Sequence, residues 1–158
     1  MLSSAVVWLY HSLAGVRIHP LSVGADRLLI FPKPVRKVGW CSAVLRTVRG
    51  RVLVRWELSD IGSTHTAAAG ASARVGDRED ERDREEKRLS FQLCVTLPPN
   101  TIAQLGIPAA PGSAITEGGL VLPAHNYQRV FAQHGGGEAL LLDIGSGSYC
   151  FGSEVLLL

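Results

Sequence analysis

The chain of 158 residues is poor in most of the features that declare a function. It holds three cysteines, one methionine and 6% aromatic residues. No uninterrupted apolar run approaches the ~20 residues that cross a bilayer, so no membrane span is expected. Formal net charge is only +2, too little for the basic field that draws a protein to nucleic acid or to an anionic surface. Cys41, Cys94 and Cys150 lie far apart without CxxC spacing, and no HxxxH occurs, so the usual zinc signatures are missing. Gly135-Gly136-Gly137 has no helix or Lys-Ser/Thr after it and reads as a turn, not a phosphate cradle. The sequence therefore calls for no metal, no cofactor, no nucleic-acid partner and no membrane.

What is present is a period of two. Leu89, Phe91, Leu93, Val95 and Leu97 share one face of a run whose other face holds Ser90, Gln92, Cys94 and Thr96. An earlier run alternates Val52, Val54, Trp56 and Leu58 with Arg51, Leu53, Arg55 and Glu57. Such alternation marks strands with one buried face. Pro98-Pro99-Asn100 is a turn between the later run and Thr101–Leu105, and Arg49-Gly50 closes a hairpin between Trp40–Val48 and the earlier run. Leu28–Phe31, Leu120–Leu122, Ala139–Leu142 and Ser148–Phe151 read as further short strands, and Gly112–Gly119 as a loop. The expected fold is mainly β: an antiparallel β-sandwich with one N-terminal helix and a long disordered hairpin insertion. A length of 158 residues suits one such core.

The cysteines are odd in number, and unpaired thiols in a reducing compartment are the expected state. Pairing of Cys94 with Cys150 depends on distances that a sequence does not give, and stays open.

The N-terminal run Ala5-Val6-Val7-Trp8-Leu9-Tyr10 fits a short helix, capped by Ser3 or Ser4 and ended by Gly15 in the left-handed conformation. Its first basic residue, Arg17, follows the apolar run, so no signal peptide is legible and the compartment stays open. Apolar on nearly every side, residues 1–16 need partners on several faces, and no second helix is expected to supply them. Together with Leu156-Leu157-Leu158 this predicts self-association or docking to another domain, and greater solubility on deleting residues 1–14.

Residues 59–88 form the insertion. Small residues give way to Asp77–Arg88, in which every side chain is charged, seven acids against five bases. A segment of that kind buries too little apolar surface to offset the entropy of ordering, and without it the rest is mildly basic.

In their order and spacing these residues resemble the C-terminal region of α-L-rhamnosidase-type glycoside hydrolases. Ser4–Val16 is similar to that family's last barrel helix. Arg17-Ile18-His19-Pro20, Gly24, Leu28-Leu29-Ile30-Phe31-Pro32, the Trp40 strand, Gly50-Arg51-Val52 with Trp56, Leu97-Pro98-Pro99-Asn100-Thr101 and Gly145–Phe151 follow in the family manner. The charged insertion departs from it, as does Thr47-Val48-Arg49, where a more polar approach to Gly50 is expected. The resemblance implies that residues 1–16 are the last helix of a missing α/α barrel and 17–158 the C-terminal β-sandwich domain. The family hydrolyses terminal α-L-rhamnosides with an acid and a base carried on the barrel, so no catalytic residue carries over. The implied role is a non-catalytic accessory domain, a fragment supporting the catalytic barrel. Its implied partner is that barrel, or another copy of the chain through the N-terminal helix.

The residues themselves offer little chemistry of their own. Outside the insertion the carboxylates are Asp26, Glu57, Asp60, Glu117, Glu138, Asp143 and Glu154, and glycoside hydrolysis needs two of them about 5–9.5 Å apart across one cleft. Most fall near turns or on the polar strand faces, where solvated carboxylates are usual. His11 falls on the helix, and His65, His125 and His134 in or near loops. The alternative function is a free-standing carbohydrate-binding or protein-interaction β domain. Its sugar-stacking candidates are Trp40 and Tyr127, with Tyr149 behind them. Burial in the core is nevertheless the expected place of Trp40, as of Trp56.

Overall fold

The computed structural model describes residues 3–61, 87–131 and 138–157. Two sheets face each other. One has the order β1 (Val16–Ile18), β2 (Arg27–Ile30), β6 (Ile102–Ala109), β10 (Glu138–Ile144), β9 (Gln128–Phe131). The other has the order β3 (Trp40–Thr47), β4 (Gly50–Asp60), β5 (Lys87–Leu97), β11 (Gly147–Leu157), β7 (Thr116–Glu117), β8 (Leu120–Val121). All pairings are antiparallel except β2 with β6. The mainly β sandwich expected from the alternation is thus the observed architecture.

The alternation places the core. Val52, Val54 and Trp56 of β4 and Leu89, Phe91, Leu93, Val95 and Leu97 of β5 are all buried. They meet Leu28, Ile30, Leu105, Ile107 and Leu140 of the opposite sheet. Burial of such side chains contributes about 1.5–3 kcal/mol each. Trp56 is the largest of them. It tilts against Phe91 with ring centroids 6.2 Å apart, and its indole N–H donates to the carbonyl of Leu13 at 2.8 Å.

That bond ties the N-terminal segment to the sandwich. Helix α1 (Ser3–Trp8) runs on into a π-helical turn, Leu9–Leu13, closed by Ala14 N–H to Leu9 C=O at 2.9 Å. Gly15 ends it with φ +76, and a Cβ there would lie 2.1 Å from the carbonyl carbon of Phe31. Only glycine fits this crossing. Ala14 and Val16 then enter the core. The side chains of Ser3 and Ser4, expected as caps, lie outside the described residues.

Several expectations are corrected. Cys94 and Cys150 form a disulfide, because β5 and β11 set them directly opposite each other and on the outer side of their sheet. The expectation of unpaired thiols holds only for Cys41. Strands reach further than the turn signals suggested. Ser59 and Asp60 belong to β4 and Lys87 and Arg88 to β5, so the hairpin has longer legs than an insertion over 59–88 allows. The loop expected at Gly112–Gly119 contains β7. The apolar C-terminal tail is the end of β11: Leu156 and Leu157 pair with Arg88 and Lys87 and are half-buried. The remainder of the insertion with His65, the Gly135–Gly137 turn with His134, and Leu158 lie outside the described residues.

Candidate functional site

Among the described residues the carboxylates do not converge on a shared cleft. Asp26 closes the β1–β2 loop on itself, accepting from Ser22 Oγ at 2.8 Å and Val23 N–H at 2.9 Å. The Ser22 hydroxyl, followed by the Val23 amide and the positive charge of Arg49, holds this carboxyl below its ordinary pKa. Glu138 pairs with Arg129 at 2.9 Å, whose other amine donates to Ser113 C=O at 2.6 Å. Glu57 pairs with Arg55 at 3.3 Å and Glu154 with Arg88 at 3.2 Å. Glu57 and Glu154 do share the outer face of the six-stranded sheet. They stand two strands and two register positions apart, roughly 12 Å at ordinary sheet spacings. Glycosidic carboxylate pairs are closer than this. Among the described residues no three His, Cys, Asp or Glu gather as a metal site, and no helix is long and apolar enough to cross a membrane.

The two stacking candidates are on different sheets. Tyr127 follows a short 3-10 turn (Ala124–Asn126) and precedes β9. It is half-buried against the core, and the guanidinium of Arg129 sits 6.0 Å from its ring centre. A shallow hollow of about 330 Å³ beside it is bounded by Gln104, His125 and Asp143. Trp40 is the first residue of edge strand β3 and is 61% exposed. The expectation that it belongs to the core fails. Its register partner is Glu57, and the core residue Trp56 is paired instead with Cys41, so the pleat turns Trp40 outward. Tyr149 is half-buried, and its hydroxyl donates to Ser146 C=O at 3.3 Å.

Sequence reasoning missed what surrounds Trp40. Residues directly opposite each other in a sheet share a face, and the pairings draw one line across all six strands. It runs Trp40, Glu57, Gln92, Gly152, Thr116, Val121. A cleft of about 610 Å³ lies along its middle, between Arg55, Glu57 and Gln92 on one side and the turn Gly118-Gly119 on the other. Gly152 lies in its lining beneath Thr116, and a Cβ there would meet Thr116 Oγ1 at 2.6 Å. The alternation in β4 and β5 announced which residues face outward. The alignment of β11 and β7 on them carried no local signal.

The fold itself has known counterparts. Over 94% of its length the chain superposes on an α-L-rhamnosidase from Dictyoglumus thermophilum, with TM-score 0.64 and 20% identity, taking in 13% of that enzyme. It superposes over 92% of its length on 10% of the Streptomyces avermitilis α-L-rhamnosidase solved with L-rhamnose, with TM-score 0.52 and 24% identity. The fold is that of one domain-sized segment of the α-L-rhamnosidases. No family model matches the chain, and no curated protein matches its sequence. The chain spans only about a tenth of the length of these α-L-rhamnosidases. The likeness therefore concerns a segment of them, and the resemblance read in the sequence is one of architecture.

Proposed function

We propose that the chain is a non-catalytic β-sandwich domain of an α-L-rhamnosidase-like glycoside hydrolase, whose role is to support a catalytic α/α barrel. The observation that carries this reading is the uncovered helix. Val6, Val7, Trp8 and Leu9 are about half exposed on α1 and the turn after it, while the next residues are locked into the sandwich. Four consecutive apolar side chains in water are costly, and no described element lies over them. A barrel built from helices would cover them.

Two measurements test this. The native protein, recovered from its source with an antibody to the sandwich, is expected on one polypeptide with, or bound to, a helical glycosidase domain. Recovery as a free 158-residue chain with no such partner overturns the reading. Incubated with an aryl α-L-rhamnoside, the isolated chain is expected to release no aglycone. Saturable release abolished by a Glu57→Gln or Glu154→Gln substitution would make the domain catalytic and sink the supporting role.

A further inference from the structure

We propose that the outer face of the six-stranded sheet is a binding groove for a neutral oligosaccharide, with Trp40 as its stacking platform. This goes beyond the supporting role and is independent of it, because the groove lies on the outer face of a sheet and contains no residue of the N-terminal helix.

The line Trp40–Glu57–Gln92–Gly152–Thr116–Val121 crosses six strands, roughly 24 Å at the usual strand spacing. That is the reach of a short oligosaccharide and longer than one sugar needs. Its two ends are apolar and exposed: Trp40 at 61% and Val121 at 67%. Its middle is polar, made by Glu57, Gln92 and the hydroxyl of Thr116, which lies over Gly152. An indole offers the C–H face of a pyranose a large, rigid apolar surface at small entropic cost. In the cleft, one to two strands away, Ser59, Ser90 and Gln92 have side chains with no hydrogen-bond partner among the described residues. They are free to donate to and accept from ring hydroxyls. The cleft supplies the polar groups, and Trp40, one strand beyond its lining on the same line, supplies the aromatic surface, the combination usual in ligand sites.

The charges of the face argue for a neutral ligand. Arg55, which lines the cleft, is held by Glu57, and Arg88 beside it by Glu154. These two guanidiniums are thus balanced by carboxylates, while Arg46 and Arg51 lie at the far end of the face. A uronic-acid chain would have to compete with both pairs. A neutral glycan leaves them intact and uses their remaining donors and acceptors.

The test is a glycan array carrying neutral and uronic-acid oligosaccharides, probed with the whole chain. The best-retained glycan is then titrated with tryptophan fluorescence as the readout, in a Trp8→Phe background. Trp56 is fully buried, so the responding indole is Trp40. Neutral oligosaccharides longer than a disaccharide are expected to be retained and to give a saturable spectral change. Trp40→Ala is expected to weaken binding roughly tenfold or more, about 1.4 kcal/mol. Gln92→Ala is expected to weaken it severalfold, and Tyr127→Ala to leave it unchanged. Trp40 and Gln92 are exposed, so these variants should fold, and an unaltered thermal melt verifies that they do. Retention of no neutral glycan, preference for uronic-acid chains, or binding that survives Trp40→Ala would each overturn the proposal.

Discussion

Arg49 shows how much one side chain in a turn can organise. It sits in the two-residue connection between β3 and β4, and its guanidinium reaches three carbonyls from two other loops. These are Gly24 at 2.9 Å, Val23 at 3.4 Å and Asn100 at 3.2 Å. In the sequence Thr47-Val48-Arg49 reads only as a departure from the expected approach to Gly50. Its partners are 25, 26 and 51 residues away, and no local pattern announces them. Charge-assisted bonds of this kind are stronger than neutral ones but weakened by exposure. Arg49→Ala is therefore expected to cost about 1–2 kcal/mol in urea unfolding, and Arg49→Lys to restore little, since an ammonium cannot span three carbonyls. An unchanged urea midpoint for Arg49→Ala would show that the three bonds are not made in solution. Asp26, in the loop that Arg49 grips, adds a pH dependence. Its folded carboxyl titrates below the ordinary 3.8, first because of the Ser22 hydroxyl. A carboxyl depressed in the folded state stabilises it above the unfolded value, and that contribution is lost as pH falls through the folded value. The urea midpoints of the wild type and Asp26→Asn are thus expected to differ at pH 5, and the gap to narrow as pH falls below 3.8 and through the lower folded value. A gap that does not narrow at all between pH 5 and the acid limit of the titration would contradict the assignment.

Among the elements, the β5–β11 pair is the longest pairing of its sheet, with eleven register partners from Gly147↔Leu97 to Leu157↔Lys87. The period of two made β4 and β5 legible because each has one fully buried face. β9 and β7 were not legible, for a physical reason. β9 is a short edge strand, half wet and under no need of clean alternation. β7 is only two residues, Thr116–Glu117, too short to show a period and followed by glycines that signal a loop. The disulfide was illegible for a different reason. Cys94 is on the outer face as expected, but its partner is set by the register of a strand 56 residues away. The structure predicts one reactive thiol in the denatured, unreduced chain and three after reduction. In the native chain the remaining thiol, Cys41, should label slowly at neutral pH, because burial raises its pKa. Reduction should lower the unfolding free energy by about 2–4 kcal/mol, the usual worth of such a cross-link. Three thiols titrating without reductant would show that β5 and β11 are held by hydrogen bonds alone.

At the scale of the whole molecule, the sandwich is self-sufficient and the helix is not. The sequence foretold an unpartnered helix from its apolar run, but not where the dependence stops. That boundary lies near Leu9. Val6 to Leu9 are about half exposed, whereas the carbonyls of Ser12, Leu13 and Gly15 accept from Lys33, Trp56 and Phe31, and Ala14 is fully buried. Deleting residues 1–14 would therefore do two opposed things. It removes the exposed apolar patch, and it strips the buried Trp56 N–H of its acceptor, at about 1–3 kcal/mol for an unsatisfied group. Deleting residues 1–8, or the triple change Val6→Ser, Val7→Ser, Trp8→Ser, removes the patch alone. Light scattering should find the intact chain associating with rising concentration and the triple variant monomeric. Both should melt at nearly the same temperature when dilute, whereas the chain lacking residues 1–14 should melt lower. An intact chain that stays monomeric at high concentration would mean that α1 folds back onto the sandwich, and the surface assigned to a barrel would already be covered.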